Sequence, residues 1–483
     1  MLVFVFSLFS FLSNGVSEIP KEILCADSVK RPARTKVVMD STGKFLTLNR
    51  IFIIGNSVTR DRIILRELTY KTGDILYSSD LQGVLEVDKK KLINTRLFNT
   101  VELRILEIED NRFDLLIDVN ERWYTFPSII FQLADRNFNE WWQNYNHDFS
   151  RVNYGVKLYQ YNMRGRNETL RFAAQLGFQR RFSLNYRFPY IDKNQKQGLV
   201  IDLDFSDTKN LAYRTEDHKL VYLEADNIQK SSQAGGVTYT YRKSFYESHA
   251  LRVDYRRSKV SERVIDSNAN YFGSEAQQQQ YLSASYGFTS DHRDYVGYPL
   301  KGHFFNVGIN QYGFSSNADL NKTELSGSFS WYIPLKYNFN LSNLTGAYWS
   351  TPNKLPYSNY GALGYRGQIL HGYEVYVIEG PAYAINKTTF KKQIFSRQYH
   401  WSGMPIDQFR HIPIAIYLKT YFDIGYVKNY PNYTYGARLT NKFIYSGGAG
   451  IDLVSSYDMV FRFEYSFNAE GDHGFFFNVK KEF

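Results

Sequence analysis

The chain has 483 residues, enough for several ordinary domains or for one small domain and one large barrel, and it carries a net charge of +10. Tyrosine (40) and phenylalanine (37) raise the aromatic share to 17%, yet hydrophobic residues as a whole reach only 43%, and no apolar run is long enough to cross a bilayer as a helix. The basic residues are spread along the whole length, with Lys89-Lys90-Lys91 the densest cluster in the first third, and no nucleic-acid module accompanies them, so nucleic acid is not an expected partner. Composition fits a transmembrane barrel, whose alternate residues face lipid and whose rings gather at the two interfaces; an aromatic-rich soluble β-protein is the alternative on composition alone.

In chain order, the apolar stretch Leu2–Leu12 followed by Ser13, Gly15 and Ser17 predicts a signal peptide over residues 1–17, although no lysine or arginine precedes it. Cys25 is the only cysteine, so no internal disulfide forms, and the large Leu24 before it argues against a lipid anchor. Residues 45–121 then predict a compact mixed domain. Leu46–Ile54 is a strand closed by Gly55-Asn56, and Thr59 is the expected N-cap of a helix carrying Ile63, Ile64, Leu65 and Leu68. A second helix starts at Ser79-Asp80, with Leu81, Leu85, Leu92 and Ile93 on its apolar side. Val101–Ile105 and Phe113–Val119 are strands, which makes the order β-α-α-β-β.

From Trp123 onward the pattern changes to strands separated by polar loops. Leu251–Tyr255, Tyr281–Phe288, His303–Ile309, Leu325–Tyr332 and Phe461–Tyr465 alternate ring or aliphatic residues with polar or small ones, the period of a sheet with one apolar and one hydrated side. Residues 123–483 hold about 16 tilted strands of about 10 residues with their loops. Backbone groups in lipid must all be paired, so such strands close on themselves. The ending GFFFNVKKEF places Phe475, Phe477, Val479 and Phe483 on one face, as a closing strand with its rings toward lipid. The first strand is expected near Tyr124–Leu133.

Two resemblances sharpen this reading. Gly55-Asn56, Thr59, Ile64, Arg66-Glu67-Leu68, Gly73, Leu92, Asn94-Thr95, Leu97-Phe98 and Val101 resemble the POTRA signature in order. One such unit is visible, whereas general barrel-assembly factors usually carry several. Further on, Asp291–Asp294 with Pro299–Gly302, Leu355–Tyr357, Leu363-Gly364, Leu370–Glu374, Gly380, Phe422–Gly425 and Gly447–Gly450 resemble the BamA/TamA family of outer-membrane assembly and translocation proteins. The resemblance implies a transmembrane β-barrel of about 16 antiparallel strands preceded by one small POTRA domain. It also implies an inward-folded loop carrying Leu370, His371, Gly372, Tyr373 and Glu374, and a barrel-wall acid, Asp423, that anchors it.

In the family an arginine precedes the glycine and aromatic of that loop, and here the position holds His371. Imidazole offers one bond where guanidinium offers two parallel ones, and it titrates near neutrality, so a His371–Asp423 contact is expected to be weaker and pH-dependent. Arg366 is the alternative cation, and a polar loop residue without an anchoring role is the alternative reading of His371. The nine histidines are scattered, and the chain has no H-E-x-x-H, P-loop or G-x-S-x-G, so no enzyme and no cofactor or metal is expected. The resemblance implies a bacterial outer-membrane location with the POTRA unit in the periplasm. Implied partners are outer-membrane lipids, client outer-membrane or secreted polypeptides, and periplasmic accessory proteins that dock on the POTRA unit. A secretion pore dedicated to one partner and a passive or structural barrel are the rival functions.

Overall fold

The computed structural model describes residues 45–133, 147–315, 318–364, 369–404, 407–431 and 437–481, so the expected signal peptide, Cys25, Arg366 and Phe483 lie outside the described residues. The first unit runs β1 (Phe45–Ile54), α1 (Asp61–Leu65), β2 (Ile75–Tyr77), α2 (Leu81–Asn94), β3 (Phe98–Glu109) and β4 (Arg112–Glu121). Its sheet has the order β2-β1-β4-β3, with β1 and β4 parallel and the other pairs antiparallel. Asp110 and Asn111 both take positive φ, the requirement of the tight turn that joins β3 to β4. Leu48, Ile63, Ile64, Leu92, Phe98 and Ile117 meet in the core between sheet and helices.

Two expectations for this unit need correction. The strand β2 was not foreseen, because three residues are too few to display a period; it is recruited as an edge partner of Phe45–Thr47. Thr59 does not cap α1, whose N-cap is Arg60 with no side-chain cap bond. The Thr59 side chain is buried and bonds Tyr124 at 3.1 Å and Asn162 at 2.8 Å, both at the start of the second unit. Satisfying those buried groups outweighs a cap that water can replace.

The second unit is one 16-stranded sheet. Its strands begin with β5 (Thr125–Leu133), β6 (Val152–Met163), β7 (Glu168–Gly177), β8 (Gln179–Phe188) and β9 (Gln197–Thr208). A separate hairpin, β10 (Leu211–Glu216) with β11 (Lys219–Leu223), interrupts the series. It resumes with β12 (Lys230–Arg242), β13 (Glu247–Val260), a short helix α3 (Glu262–Ser267), β14 (Gln278–Asp291), β15 (Gly302–Tyr312), β16 (Lys322–Pro334) and β17 (Phe339–Thr351). A long loop containing the two-residue pair β18 (Ala362–Leu363) and β19 (Ile378–Glu379) follows. The last strands are β20 (Ala382–His400), β21 (His411–Lys428), β22 (Phe443–Val454), β23 (Met459–Asn468) and β24 (His473–Lys481). Apart from the inserted pairs, each barrel strand lies antiparallel to the next.

The faces are inverted relative to a water-soluble protein. Leu251, Val253 and Tyr255 stand outward on β13, Leu418 and Phe422 on β21, and Phe463, Tyr465 and Phe467 on β23, all exposed. Between them, Ser232, Ser283, Glu324, Lys419, Asp423, Asp452 and Glu464 point inward and are buried. An apolar belt outside and paired charge inside is the arrangement hydrocarbon demands of a barrel. Among the described residues no helix is long and apolar enough to cross a membrane.

The first unit docks on the strand-end turns at one mouth of the barrel. Tyr190, from the β8–β9 turn, enters its core, with Arg62, Arg66 and Arg166 over the ring. Glu67 is gripped by Arg242 through two bonds of 2.7 and 2.6 Å. The Arg60 amide donates to the Gly165 carbonyl at 3.0 Å, and Arg122 bonds Asp458 in the β22–β23 turn at 3.2 Å.

Candidate functional site

The loop between β17 and β20 folds back into the barrel, and its sequence explains how it stays there. Leu370 and Tyr373 are buried with Leu363, Ile378, Ile385, Val427 and Ile444, so the loop has an apolar foot set into the wall. Gly425 of β21 makes the slot: a Cβ there would lie 2.7 Å from Leu370 Cδ1. Asn468 donates to the Gly372 carbonyl at 2.7 Å, and Tyr376 donates to Asp472 at 2.6 Å. Glu374 is half-buried, and one of its carboxylate oxygens is buried without a hydrogen-bond partner among the described residues.

His371 sits at the polar end of this foot. Its backbone amide donates to Asp423 Oδ2 at 3.0 Å, and its Nδ1 lies 2.8 Å from the same oxygen. The Nε2 faces Glu464 Oε1 at 3.4 Å, and the ring lies against Tyr421 with centroids 4.2 Å apart. The His371 ring is thus held between two acids, Asp423 at Nδ1 and Glu464 at Nε2. Lys387 Nζ stands 3.8 Å from Asp423, opposite it in the β20–β21 ladder.

Asp423 belongs to a larger charged network. Lys419 forms an ion pair with Asp452 at 2.7 Å and a hydrogen-bonded one with Glu464 at 2.6 Å, although Glu464 is two strands away. The glycines of β22 allow this. Gly450 lies between Lys419 and Glu464 in the ladder, and Gly448 lies between Tyr421 and Ser466, whose hydroxyls meet at 2.7 Å. A Cβ at position 448 would lie 2.4 Å from the Tyr421 hydroxyl, so a side chain there would occupy the bridge. Lys419, Asp452 and Glu464 were not singled out from sequence; the signal available was a glycine-rich run inside a strand, which marks a close approach.

The mouth on the loop side is capped by packing between loops. The β10–β11 turn supplies His218, wholly buried, whose carbonyl accepts from the Val377 amide at 2.8 Å and whose Nε2 accepts from the Leu439 amide at 2.8 Å. Burial, set against bonding and nearby charge, leaves this histidine below its ordinary pKa. Glu379 is held by Thr215 at 2.9 Å and the Tyr357 hydroxyl lies 3.0 Å from the same Thr215 oxygen, so both ends of the inward loop touch this hairpin.

At the margins of the sheet stand β5 and β24. Among the described residues no backbone ladder joins them. Ile129 and Phe131 on β5, and Phe475 and Phe477 on β24, are exposed on the outward face; the Val479 side chain lies outside the described set.

A family model described as the Omp85 superfamily domain matches residues 162–483, more than half the chain. The chain belongs to the Omp85 superfamily. A POTRA model, described as a surface antigen variable number repeat, matches residues 46–122. Among solved structures, CdiB from Escherichia coli is similar at 12% identity and a TM-score of 0.57, with 90% of this chain and 76% of that one covered. BamA from Haemophilus ducreyi lacking POTRA domains 1–3 is similar at 16% identity and a TM-score of 0.51, with 90% and 85% covered. None of the curated proteins compared with the chain matches it. As an Omp85 protein, the chain is an outer-membrane barrel of the insertion and translocation class in the general sense.

Proposed function

We propose that this Omp85 protein receives an extended client on its POTRA sheet and passes it to the barrel margin between β5 and β24, for insertion into or passage across the outer membrane. The observation that supports this reading best is that, among the described residues, no backbone ladder joins the two margins of an otherwise continuous sheet. Each margin has backbone groups to offer a client strand, and in hydrocarbon any pairing is strongly preferred to none. On the POTRA unit, the 12-residue β3 is the long edge of the sheet, whereas the other edge, β2, has three residues. A strand added to β3 would be held by main-chain bonds that demand no particular sequence. The POTRA unit faces the periplasm in this scheme, where accessory proteins would meet it, and no cofactor takes part.

The inward loop serves as a fixed inner support. Its anchors at Asp423 and Asn468 tie it to β21 and β23, the fourth and second strands from the β24 margin, Thr215 ties it to the β10–β11 hairpin, and its bulk in the lumen speaks against a passive open channel. Photo-crosslinkers placed at Ile129, Phe477 and Leu106 test the route. Client adducts at all three during active secretion are expected, and their absence would overturn the proposal. Depleting the protein and measuring the outer-membrane proteome separates client ranges: many barrels fall together for a general factor, one exported protein for a dedicated pore, and solute flux alone for a channel.

A further inference from the structure

A cleft of roughly 990 Å³ opens where the POTRA helices meet the β8–β9 and β12–β13 turns. Arg62 and Lys71 line it from the POTRA side, Lys193 and Lys196 from the first turn, and none of the four makes an ion pair among the described residues. Arg66 and Arg242 also line it and share the single carboxylate present, Glu67. The cleft is thus cationic after its internal pair is counted. Its remaining lining is partly apolar, with Ile51, Leu65, Leu68 and Phe245.

Position decides what such a site would hold. The two turns end β8, β9, β12 and β13, so the cleft lies at the edge of the lipid-facing belt on the POTRA side. Rings collect at those same strand ends: Tyr186 and Phe188 are 4.4 Å apart, Tyr239 and Tyr241 stand exposed, and Phe245 touches Tyr246 at 5.1 Å. An aromatic girdle marks headgroup depth. At that depth the prevailing anion is the lipid phosphate, attached to acyl chains that suit the apolar rim.

We propose that this cleft binds the phosphate headgroup of an anionic phospholipid from the leaflet on the POTRA side, and so fixes the POTRA unit against the membrane surface. A soluble acidic polypeptide has the same charge but no reason to favour a site at the edge of the apolar belt. The inference needs the barrel to sit in a membrane and does not depend on what client the protein handles.

The full chain, reconstituted in nanodiscs of phosphatidylcholine with graded phosphatidylglycerol, tests this. A photoactivatable phosphatidylglycerol is crosslinked and the adducts are mapped, and lipid retained after mild detergent extraction is counted by native mass spectrometry. Phosphatidylglycerol is expected to be retained in preference to phosphatidylcholine, with adducts in 62–71 and 193–196. Lys193→Gln with Lys196→Gln, both exposed, should lower that retention at least about tenfold, given the usual gain per cation near an anionic surface. Lys301→Gln with Lys336→Gln, in other turns at the same mouth, should leave it unchanged. Equal losses from the two double variants would reduce the effect to diffuse surface charge and overturn the site. Absence of any preference would do the same, as would a polyglutamate peptide that occupies the cleft and resists displacement by phosphatidylglycerol.

Discussion

Replacing Asp423 with alanine isolates the anchor of the inward loop. The side chain is fully buried and accepts both the amide and the ring Nδ1 of His371. Its loss leaves a shielded backbone donor without an acceptor and removes one of the two acids that flank the His371 ring. An unsatisfied buried group costs about 1–3 kcal/mol and a broken buried pair about 3–5 kcal/mol. The His371 side chain keeps 22% of its exposure and its contact with Glu464 survives, so the expected loss is about 3 kcal/mol, toward the lower end of the pair range. Urea unfolding in detergent, read by the heat-dependent shift in gel migration, gives the stability, and limited proteolysis of 352–381 gives the loop itself. Asp423→Asn keeps an acceptor while removing the charge and should fall between wild type and alanine. In a double-mutant cycle, His371→Ala and Asp423→Ala should couple by about 1–3 kcal/mol. Wild-type unfolding and an equally protected loop in Asp423→Ala would refute the anchoring argument.

Three further outcomes follow from other contacts. Burial favours protonated Glu67, but bonding and charge from Arg242 and Arg66 outweigh it and hold the carboxyl below its ordinary value. POTRA docking is then fully supported above the unfolded pKa near 4.5 and weakens as pH falls through the lowered native value; Glu67→Gln should cost about 2–3 kcal/mol and speed amide exchange over residues 60–68. His218 is also depressed, from 6.5, so its support of the cap is complete above that pH and is lost progressively as pH falls; proteolysis of 437–442 should rise on acidification, and His218→Gln should flatten the dependence. On β24, Phe477→Lys puts a charge on the lipid face at a cost of up to about 2–4 kcal/mol at mid-bilayer, whereas Asn478→Lys next to it faces the lumen and should leave folding yield into liposomes near wild type.

Period alone revealed much of this molecule. Alternation over Leu251–Tyr255, Tyr281–Phe288 or Phe461–Tyr465 identified strands and told which residues face lipid, because a strand has only two sides and hydrocarbon accepts only one kind of residue. Short or locally ambiguous features escaped: β2 has too few residues to show a period, and Thr59, a fitting cap by type, was drawn into the junction with Tyr124 and Asn162.

The sequence by itself therefore determined the class of structure, the apolar outside and the residues available to the inside. The tertiary structure decided who meets whom. Lys419 reaches Glu464 only because β21, β22 and β23 lie in one register with Gly450 between them, and Glu67 finds Arg242 across a separation of 175 residues. Side-chain period fixes a face, but pairing register and strand-end geometry fix a neighbour, and both depend on the whole sheet having formed.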